Sequence, residues 1–522
     1  MKLNYKRTIL VGFAFFLICA FWQAYDNTVP LILTNKFGMS QTWSGVIMAM
    51  DNVLALFLLP LFGHISDKCT HPRGRRTPFI VVGTLIAAVA LIALSFADNA
   101  QLKRLDKVSA IDDPAALTVI YNEQKDATLL SPSGESFILG HKFTEAEFTA
   151  IRSQTVTPEG KTVTDPAYTN YVVPARQACA RDAAAANPGA LVVFVALLLI
   201  ILLSMATFRS PAVALMPDVT PKPLRSKANA IINLMGTIGG SLVLGLGIVL
   251  KTGKTANTFM SYTAYFCIVG GIMLICLGAF MLTVNEPKLV RKMEEESLAV
   301  GIDESGNDLD AKHEAGDGKL SRGEMTSLVL ILASVVFWFF GYNAVTSKYS
   351  VYAGNVLNLD YNSTLLVANI AALISYIPVG AVASKVGRKK TIIAGVIMLG
   401  TAFTVAAFLD NGTPLPVMMV IFALAGIGWA TINVNSFPMV VELARGGNVG
   451  RYTGFYYTAS MAAQTLTPVV SGLMMDKLGM KSLFPYAAIC VAFALITMTF
   501  VRHGDSKPEK KSALETLGEG DD

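Results

Sequence analysis

The sequence predicts an all-α membrane protein of twelve transmembrane helices. Of its 522 residues, 53% are hydrophobic and only 15% are charged, whereas soluble chains carry about 25% charged residues. Apolar runs of about 20 residues, the length that a helix needs to cross a bilayer, recur throughout the chain. Short polar loops that separate these runs hold most of the cations. These features indicate a polytopic helical protein rather than a soluble enzyme.

The apolar runs define twelve spans in chain order. The first run is too long and too polar in its middle to be a cleaved signal peptide. The formal net charge of +5 reflects basic loops rather than binding to nucleic acid. The approximate bounds of the spans are 8–33, 41–66, 77–97, 190–216, 228–250, 259–284, 326–346, 363–384, 391–409, 415–440, 452–474 and 482–501.

The distribution of cations among the short loops predicts the orientation. The loops on the side of both termini carry most of the lysines and arginines. Because basic loops are retained in the cytoplasm, we expect both termini there, in a cell-membrane protein that functions as a monomer. The short loops of the opposite side hold only Lys36, Lys251, Lys254, Lys348, Lys477 and Lys481.

A hydrophilic insertion, residues 98–189, separates the third and fourth spans. Span parity places it outside the cytoplasm, where it is expected to form a small extracytoplasmic cap. A turn at 131–134 precedes a strand-like piece at 136–139, and an alanine run at 183–186 predicts a helix that leads into span four. Of the six cysteines only Cys179 lies in the insertion, so no disulfide framework is expected.

The two halves of the chain repeat one pattern. Residues 63–67 and 73–76, at and after the end of span two, recur as residues 380–384 and 387–390, at and after the end of span eight. Two six-helix repeats around a site at mid-membrane are typical of secondary transporters. The expected parts are an N-terminal bundle (1–97 and 190–284), the insertion (98–189), a solvated cytoplasmic linker (285–325), a C-terminal bundle (326–501) and a cytoplasmic tail (502–522).

The loop after span two combines a carboxylate with several cations. Asp67 can accept a bidentate hydrogen bond from an arginine, and we expect Arg75 to be its partner in a latch at the cytoplasmic surface. In the repeat Ser384 replaces Asp67, so the second latch is weaker or differently made. The predicted cytoplasmic gate consists of Asp67, Arg73, Arg75, Arg76, Asp218 and Glu442.

Three segments resemble a known family. Residues 37–45, 63–69 and 73–80 are similar to the sucrose–proton symporters, which belong to the glycoside–pentoside–hexuronide:cation symporters of the major facilitator superfamily. Residues 211–218 also resemble that family's segment at the end of span four. The resemblance implies the major facilitator fold and alternating-access symport of a sugar, such as a disaccharide or glycoside, with a cation. The insertion lies outside the common pattern.

The chain departs from this family at two places. Sucrose transporters carry an arginine where this sequence has Val213, and acidic residues in span seven where it has Asn343 and Val345. These departures put sucrose itself in doubt as the substrate. Arg209 lies one helical turn before Val213 on the same face, so it could replace the missing arginine, pair with a buried aspartate, or extend to the cytoplasmic surface.

Polar residues at membrane depth are the candidate functional residues because burying them is costly. A sugar site needs amides and carboxylates for hydroxyl groups and aromatic faces for the ring. Asp26, which could instead cap the outer end of span one, lies in a segment with that mixture. The predicted substrate-binding residues are Trp22, Gln23, Tyr25, Asp26, Asn27, Arg209, Asn343 and Gln464.

Asp51 and Asn52 lie in the middle third of span two and are predicted to couple transport to a cation. Melibiose-type symporters of the same broad family place cation-binding aspartates in span two, which is similar. A buried carboxyl group can carry H⁺, the expected cation, and with amide oxygens it can ligate Na⁺. The alternative is a structural hydrogen bond between Asp51 and Asn52.

The expected function is therefore cation-coupled sugar symport, without enzymatic chemistry, cofactor or metal. Two alternatives remain open: proton-coupled efflux of an amphipathic compound, and a transport-inactive nutrient sensor that uses the insertion or the tail to bind a partner.

The predicted orientation can be tested with engineered cysteines. A cysteine near Gly134 should react with an impermeant thiol reagent in intact cells, and a cysteine near Gly306 should not, because span parity puts these positions on opposite sides. The reverse labelling pattern would contradict the orientation.

Overall fold

The computed structural model describes residues 3–156, 162–221, 224–299, 321–410, 412–441, 443 and 449–503. Most of these residues are helical, and long helices alternate with short connections. The helices are α1 (Tyr5–Leu31), α2 (Gln41–Asp67), α3 (Thr77–Arg104), α4 (Asp106–Ser109), α5 (Pro114–Gln124), α6 (Leu139–Lys142), α7 (Glu145–Ala150), α8 (Val173–Ala186), α9 (Gly189–Asp218), α10 (Arg225–Leu250), α11 (Thr263–Thr283), α12 (Glu286–Leu298), α13 (Arg322–Tyr352), α14 (Tyr361–Val386), α15 (Arg388–Ala407), α16 (Leu415–Val441), α17 (Val449–Leu478) and α18 (Leu483–Thr499).

Short elements extend or connect these helices. The four strands among the described residues all lie in the insertion and form two antiparallel pairs: β1 (Thr128–Leu130) with β2 (Ser136–Ile138), and β3 (Gln154–Val156) with β4 (Thr162–Thr164). π-Helical turns span Ile32–Lys36, Tyr168–Val172 and Ala353–Leu357, and 3-10 turns span Thr255–Asn257 and Met480–Ser482.

The predicted twelve-helix membrane fold is confirmed. Among the described residues, ten helices are long and apolar enough to cross a membrane. Two further long helices, α14 with 26 residues and α17 with 30 residues, occupy the positions of predicted spans eight and eleven. Both contain an internal proline, Pro378 and Pro468, which costs a helix one backbone hydrogen bond.

The transmembrane helices form two halves with separate hydrophobic cores. The N-terminal half comprises α1–α3 and α9–α11, and the C-terminal half comprises α13–α18. Within the N-terminal half, α1 and α10 pack closely through glycines. A Cβ atom at Gly236 would lie 2.7 Å from Cys19 Sγ, and one at Gly239 would lie 2.5 Å from Phe16 O. Small residues permit this approach where no hydrophobic effect drives helices together in lipid.

The insertion folds around a core of its own. Leu117, Ile120, Phe137 and Phe148 are buried in it. The predicted strand is β2, and the predicted alanine-rich helix is the end of α8. Cys179 is buried in the same core, and burial raises the pKa of its thiol to about 12.

A buried ion pair lengthens α3 beyond its predicted end at residue 97. Lys36 Nζ donates to both carboxylate oxygens of Asp98 at 2.7 Å and to the carbonyl oxygen of Met260 at 2.7 Å. Both charged side chains are fully buried. Lys36 was expected in a short loop between spans, which is wrong, because it ends the π-helical turn that continues α1 and is buried. Asp98 likewise belongs to α3 rather than to the hydrophilic insertion.

The expected linker contains a helix that packs against the N-terminal half. Glu286, the first residue of α12, accepts hydrogen bonds from Arg76 N at 3.0 Å and from Thr77 N at 2.8 Å. Its carboxylate therefore caps the N-terminus of α3, where unpaired backbone N–H groups favour a negative charge. Glu296 further along α12 pairs with Arg7 at 3.0 Å. The first part of the linker is thus structured, and residues 300–320 lie outside the described residues.

Replacement of Asp98 should destabilise the protein strongly. In Asp98→Asn, Lys36 would remain buried without its counter-charge, which costs about 3–5 kcal/mol in comparable pairs. We expect a clear fall in the thermal unfolding temperature of the purified protein. The matched control is Glu135→Gln, which breaks the exposed ion pair between Glu135 and Lys142 and should leave the unfolding temperature unchanged. Equal behaviour of the two variants would contradict a structural role for the buried pair.

Candidate functional site

The two halves meet at the end of the helices that lies next to the insertion. Asp476, near the end of α17, accepts hydrogen bonds from Gln41 N at 2.8 Å and from Thr42 N at 2.7 Å. These N–H groups belong to the first turn of α2 and have no partners within that helix. A carboxylate of the C-terminal half therefore caps a helix of the N-terminal half.

Lys348 reinforces this junction from α13. Its side chain is fully buried, and its Nζ donates to the carbonyl oxygen of Gln41 at 2.6 Å. Two further hydrogen bonds join the halves at the same end, from Asn355 to Asn35 at 3.0 Å and between Thr252 and Tyr361 at 3.1 Å. We refer to these contacts of Asp476, Lys348, Asn355 and Tyr361 with the N-terminal half as the insertion-end closure. Lys348, like Lys36, was expected in a loop and instead lies within a helix.

Two adjoining cavities lie between the halves at mid-length of the helices. Their volumes are about 340 and 380 Å³, and both are lined by Gln23, Thr237 and Asn369. The first is also lined by Asp26, Asn27, Tyr342, Thr346, Tyr376 and Trp429, and the second by Cys19, Arg209, Val213, Asn233, Gly236 and Gly240. Such a volume is within the usual range of small-molecule sites.

The wall formed by α1 is polar. Gln23, Asp26 and Asn27 line the first cavity, and Asn27 Nδ2 donates to the carbonyl oxygen of Gln23 at 2.8 Å. Arg209 of α9 lines the second cavity, with its guanidinium carbon 5.7 Å from the centre of the Trp22 ring. The Asp26 carboxylate lies within electrostatic range of both Asp51 and Arg209, and Arg209 also acts on Asp51. Two carboxylates and one guanidinium thus form a single charged cluster.

The wall formed by the C-terminal half is aromatic. The Tyr342 and Trp429 rings are stacked, with centroids 3.6 Å apart and an interplanar angle of 3°. Phe339 contacts Trp429 edge-on at 5.2 Å. These two aromatic contacts position the indole ring at the cavity. Sequence analysis missed Tyr342, Thr346, Asn369 and Tyr376, because nothing in the spacing of polar residues shows which face of a helix meets the opposite half.

Several residues that were predicted to bind the substrate or the cation are not among the described residues that line these two cavities. Trp22 and Tyr25 pack within α1, where their rings contact each other at 5.4 Å. Gln464 is half-buried in α17. Asn343 has a buried amide nitrogen that has no hydrogen-bond partner among the described residues. Asp51 and Asn52 are half-buried in α2, and Asp51 joins the site through the charged cluster.

The cationic loop after α2 forms a set of ion pairs within the N-terminal half. Asp67 pairs with Arg76 at 2.5 Å, so the expectation that it pairs with Arg75 is wrong. Arg75 instead donates two hydrogen bonds to Asp218, at 3.1 and 2.6 Å, and Arg76 reaches the same carboxylate at 2.8 Å. We attribute the choice of Arg76 over Arg75 to the N-terminus of α3, where the hydrogen bond from Arg76 N to Glu286 fixes the Arg76 backbone.

Arg76 is the buried centre of this set. Burial lowers the pKa of its guanidinium, but the hydrogen bonds and charges of Asp218 and then of Asp67 outweigh this effect and raise the pKa above its usual value. The guanidinium therefore stays charged. Arg73 is exposed, and its backbone N–H group donates to the His71 ring at 3.1 Å. Glu442, the last predicted gate residue, lies outside the described residues.

Comparison with known families places the chain in a class of membrane transporters. The sequence profile described as "Major Facilitator Superfamily" matches residues 183–375 and 365–518. A second profile, "MFS/sugar transport protein", matches residues 11–102. The protein belongs to the major facilitator superfamily, whose members are transporters and not enzymes.

Curated relatives match over short segments. The sucrose transport protein SUC4 of Arabidopsis thaliana is 37% identical over 62 residues, which is 12% of either chain. The sucrose transport protein SUC3 of the same plant is 39% identical over 67 residues, or 13% of this chain and 11% of the relative. The chain therefore matches only about one eighth of the length of these relatives.

Solved structures agree with the fold over the whole chain. The inward-open xylose transporter XylE from E. coli aligns with a TM-score of 0.57 and 14% identity, covering 98% of this chain and 99% of XylE. The nucleoside transporter NupG aligns with a TM-score of 0.55 and 11% identity, covering 95% and 100%. At such identities the likeness concerns the fold alone.

The ion pairs predict unequal effects of two similar substitutions. Asp218→Asn should lower the transport rate about tenfold, because Asp218 accepts charged hydrogen bonds from two arginines. Asp67→Asn should change the rate no more than about twofold, because Asp67 has one partner and is 55% exposed, against 14% for Asp218.

Rate and half-saturation, measured separately in proteoliposomes, distinguish a gate from a binding site. A gate residue alters the populations of states and hence the rate. Weaker substrate affinity at an unchanged rate in Asp218→Asn would show that this carboxylate is not a gate.

Proposed function

We propose that the protein is a secondary active transporter that carries a sugar into the cell together with a cation. The proposed substrate is a disaccharide or glycoside, and H⁺ is the proposed cation, with Na⁺ as the alternative. Transport proceeds by alternating access of one central site in the cell membrane. Both termini lie in the cytoplasm and the insertion lies outside, as the distribution of cations among the loops predicts.

The observation that carries this proposal is the charged cluster of Asp26, Asp51 and Arg209 beside the central cavity. Carboxylates at membrane depth are expensive to bury and generally mark substrate or ion pathways. Asp26 lines the cavity, whereas Asp51 is not among its described lining residues and lies within electrostatic range of Asp26. One carboxylate is thus available to a substrate, and the other can bind a cation without direct contact with that substrate.

The cavity has the chemistry that a sugar requires. Gln23, Asp26 and Asn27 present carbonyl, carboxylate and amide groups that exchange hydrogen bonds with hydroxyls. The stacked pair of Trp429 and Tyr342 supplies a rigid apolar wall for the C–H groups of a pyranose ring. The sucrose transport proteins that match parts of the sequence support the same substrate class.

Cation coupling follows from the charges of the cluster. With both carboxylates ionised and the guanidinium protonated, the cluster carries one net negative charge. Binding of one H⁺ or Na⁺ neutralises the cluster. A neutral cluster can change its surroundings between the two conformations at a lower desolvation cost than a charged one. The cation therefore biases the equilibrium between the two orientations, as a ligand that prefers one state must.

In this proposal the structure is in an inward-facing conformation, and the closure between the halves at the insertion end supports that interpretation. The insertion-end closure seals the cavity on the proposed outer side. The ion pairs at the opposite end, among Asp67, Arg75, Arg76 and Asp218, lie within the N-terminal half. An outward-facing conformation requires Asp476 and Lys348 to separate from the first turn of α2.

Uptake into proteoliposomes tests the proposal with a panel of labelled sugars and an imposed H⁺ or Na⁺ gradient. Concentrative uptake of a disaccharide or glycoside supports it. Net export of an amphipathic compound would instead favour an efflux pump, and binding of a sugar without flux would favour a sensor.

Substitutions of the two carboxylates should separate coupling from binding. Asp51→Asn keeps the shape of the side chain and removes its titratable charge, so we expect the accumulation ratio to fall to about one while sugar-for-sugar exchange continues. Asp26→Asn should raise the half-saturation concentration about tenfold, since it weakens hydrogen bonds to sugar hydroxyls. Normal accumulation by Asp51→Asn would show that its carboxylate is structural.

A further inference from the structure

The insertion contacts both halves of the transporter, which an appended cap would not need to do. Its base is continuous with α3 and α9 of the N-terminal half. Its β1–β2 hairpin reaches across to the connection between α17 and α18 in the C-terminal half, where Lys481 N donates to the carbonyl oxygen of Pro132 at 3.0 Å.

The contacts with the N-terminal half are extensive and tie the insertion to α1 and the turn that follows it. Gln177 Nε2 of α8 donates to Asn35 at 2.9 Å. Gly38, with φ of +60°, packs so closely against the backbone of Gln177 and Arg181 that a side chain would collide with both. Arg104 at the end of α3 donates to the carbonyl oxygen of Asn187 at 2.6 Å. The insertion therefore moves with the N-terminal half.

The contact with the C-terminal half is small and specific. Gly134 at the hairpin turn has φ of +90° and Gly479 after α17 has φ of +89°. The two backbones touch, and a Cβ atom at Gly134 would lie 2.5 Å from Leu478 O. Two glycines with positive φ angles thus create a close backbone approach that other residues would prevent.

This contact lies beside the carboxylate that caps α2. Asp476 precedes Gly479 by about one helical turn, and Asp476 and Met480 line a cavity of about 370 Å³ between the insertion and the two halves. Residues of β1, the hairpin turn, α8 and the start of α2 form its other walls. The end of α17 is therefore held twice by parts that belong to the N-terminal unit, once by α2 and once by the hairpin.

We propose that the insertion takes part in the insertion-end closure together with the two halves. Its β1–β2 hairpin must leave the α17–α18 connection before the transporter can open on that side. Because the insertion is attached to the N-terminal half, separation of Asp476 from α2 moves Gly134 away from Gly479 in the same step. The hairpin contact adds to the stability of the closed state and slows opening. It also extends the interface beyond the membrane-spanning helices.

A disulfide that joins the hairpin to the C-terminal half tests the proposal without any substrate. Ser133 and Lys481 are exposed neighbours of the backbone hydrogen bond, so the pair Ser133→Cys and Lys481→Cys is suitable. The matched control, Leu130→Cys with Ser136→Cys, joins directly paired positions of β1 and β2 and leaves the hairpin free of α17. Both pairs are introduced into a background whose native cysteines are replaced by alanine and whose gel-filtration profile is unchanged.

A cysteine at Ser350 reports opening. Ser350 is buried and lines the crevice between Asn35, Thr252 and Asn355 at the insertion-end closure. We expect the 133–481 disulfide to slow labelling of Ser350→Cys by an impermeant maleimide at least tenfold, and its reduction to restore the rate. The control disulfide should have no effect. Unchanged labelling with the 133–481 disulfide in place would overturn the proposal, whatever the transported compound.

A second measurement does not depend on the reporter. Asp476→Asn weakens the cap on α2 and should lower the yield of the 133–481 disulfide, because the hairpin contact and the cap are expected to open together. The yield of the 130–136 control disulfide should stay the same. An unaltered 133–481 yield would show that the hairpin does not open with the closure.

Discussion

The first turn of α2 is the constraint on which this conformation depends. A helix N-terminus must find acceptors for its free N–H groups, and here the acceptor is Asp476 from the opposite half. Lys348 satisfies the neighbouring carbonyl oxygen of Gln41 and is itself fully buried. Loss of the interface would therefore expose a lysine and leave a helix end uncapped until water replaced both partners. The closed end has one defined geometry because these polar groups must meet their hydrogen-bond partners. It can open again because water can replace those partners.

The same reasoning applies at the centre of the molecule, where charged groups are retained beside a cavity. Asp26, Asp51 and Arg209 lie within electrostatic range of one another there. The aromatic wall of Trp429 and Tyr342 faces this polar wall across the interface of the halves. Each half alone holds only part of the site, and movement of the halves would assemble or expose it.

The order of the membrane spans could be predicted because it depends on local composition. Each apolar run must be long enough to cross the bilayer, and its helical backbone satisfies its own hydrogen bonds. The pairing of charges could not be predicted in this way. Asp67 joins Arg76 rather than Arg75 because Glu286, more than 200 residues later, positions the start of α3. Lys36 and Lys348 look like loop residues in the sequence, but partners on distant helices make their burial possible.

For the candidate site, the sequence alone determined which polar side chains lie at membrane depth, among them Asp26, Asp51 and Arg209, since hydropathy and helical period locate them along each span. Tertiary structure decided that these three charges share one cluster and that Tyr342, Asn369 and Trp429 face them. It also decided that the insertion touches the far half through Gly134 and Gly479. Such contacts depend on how helices are rotated and packed against one another, and a pattern within one helix carries no information about its neighbour.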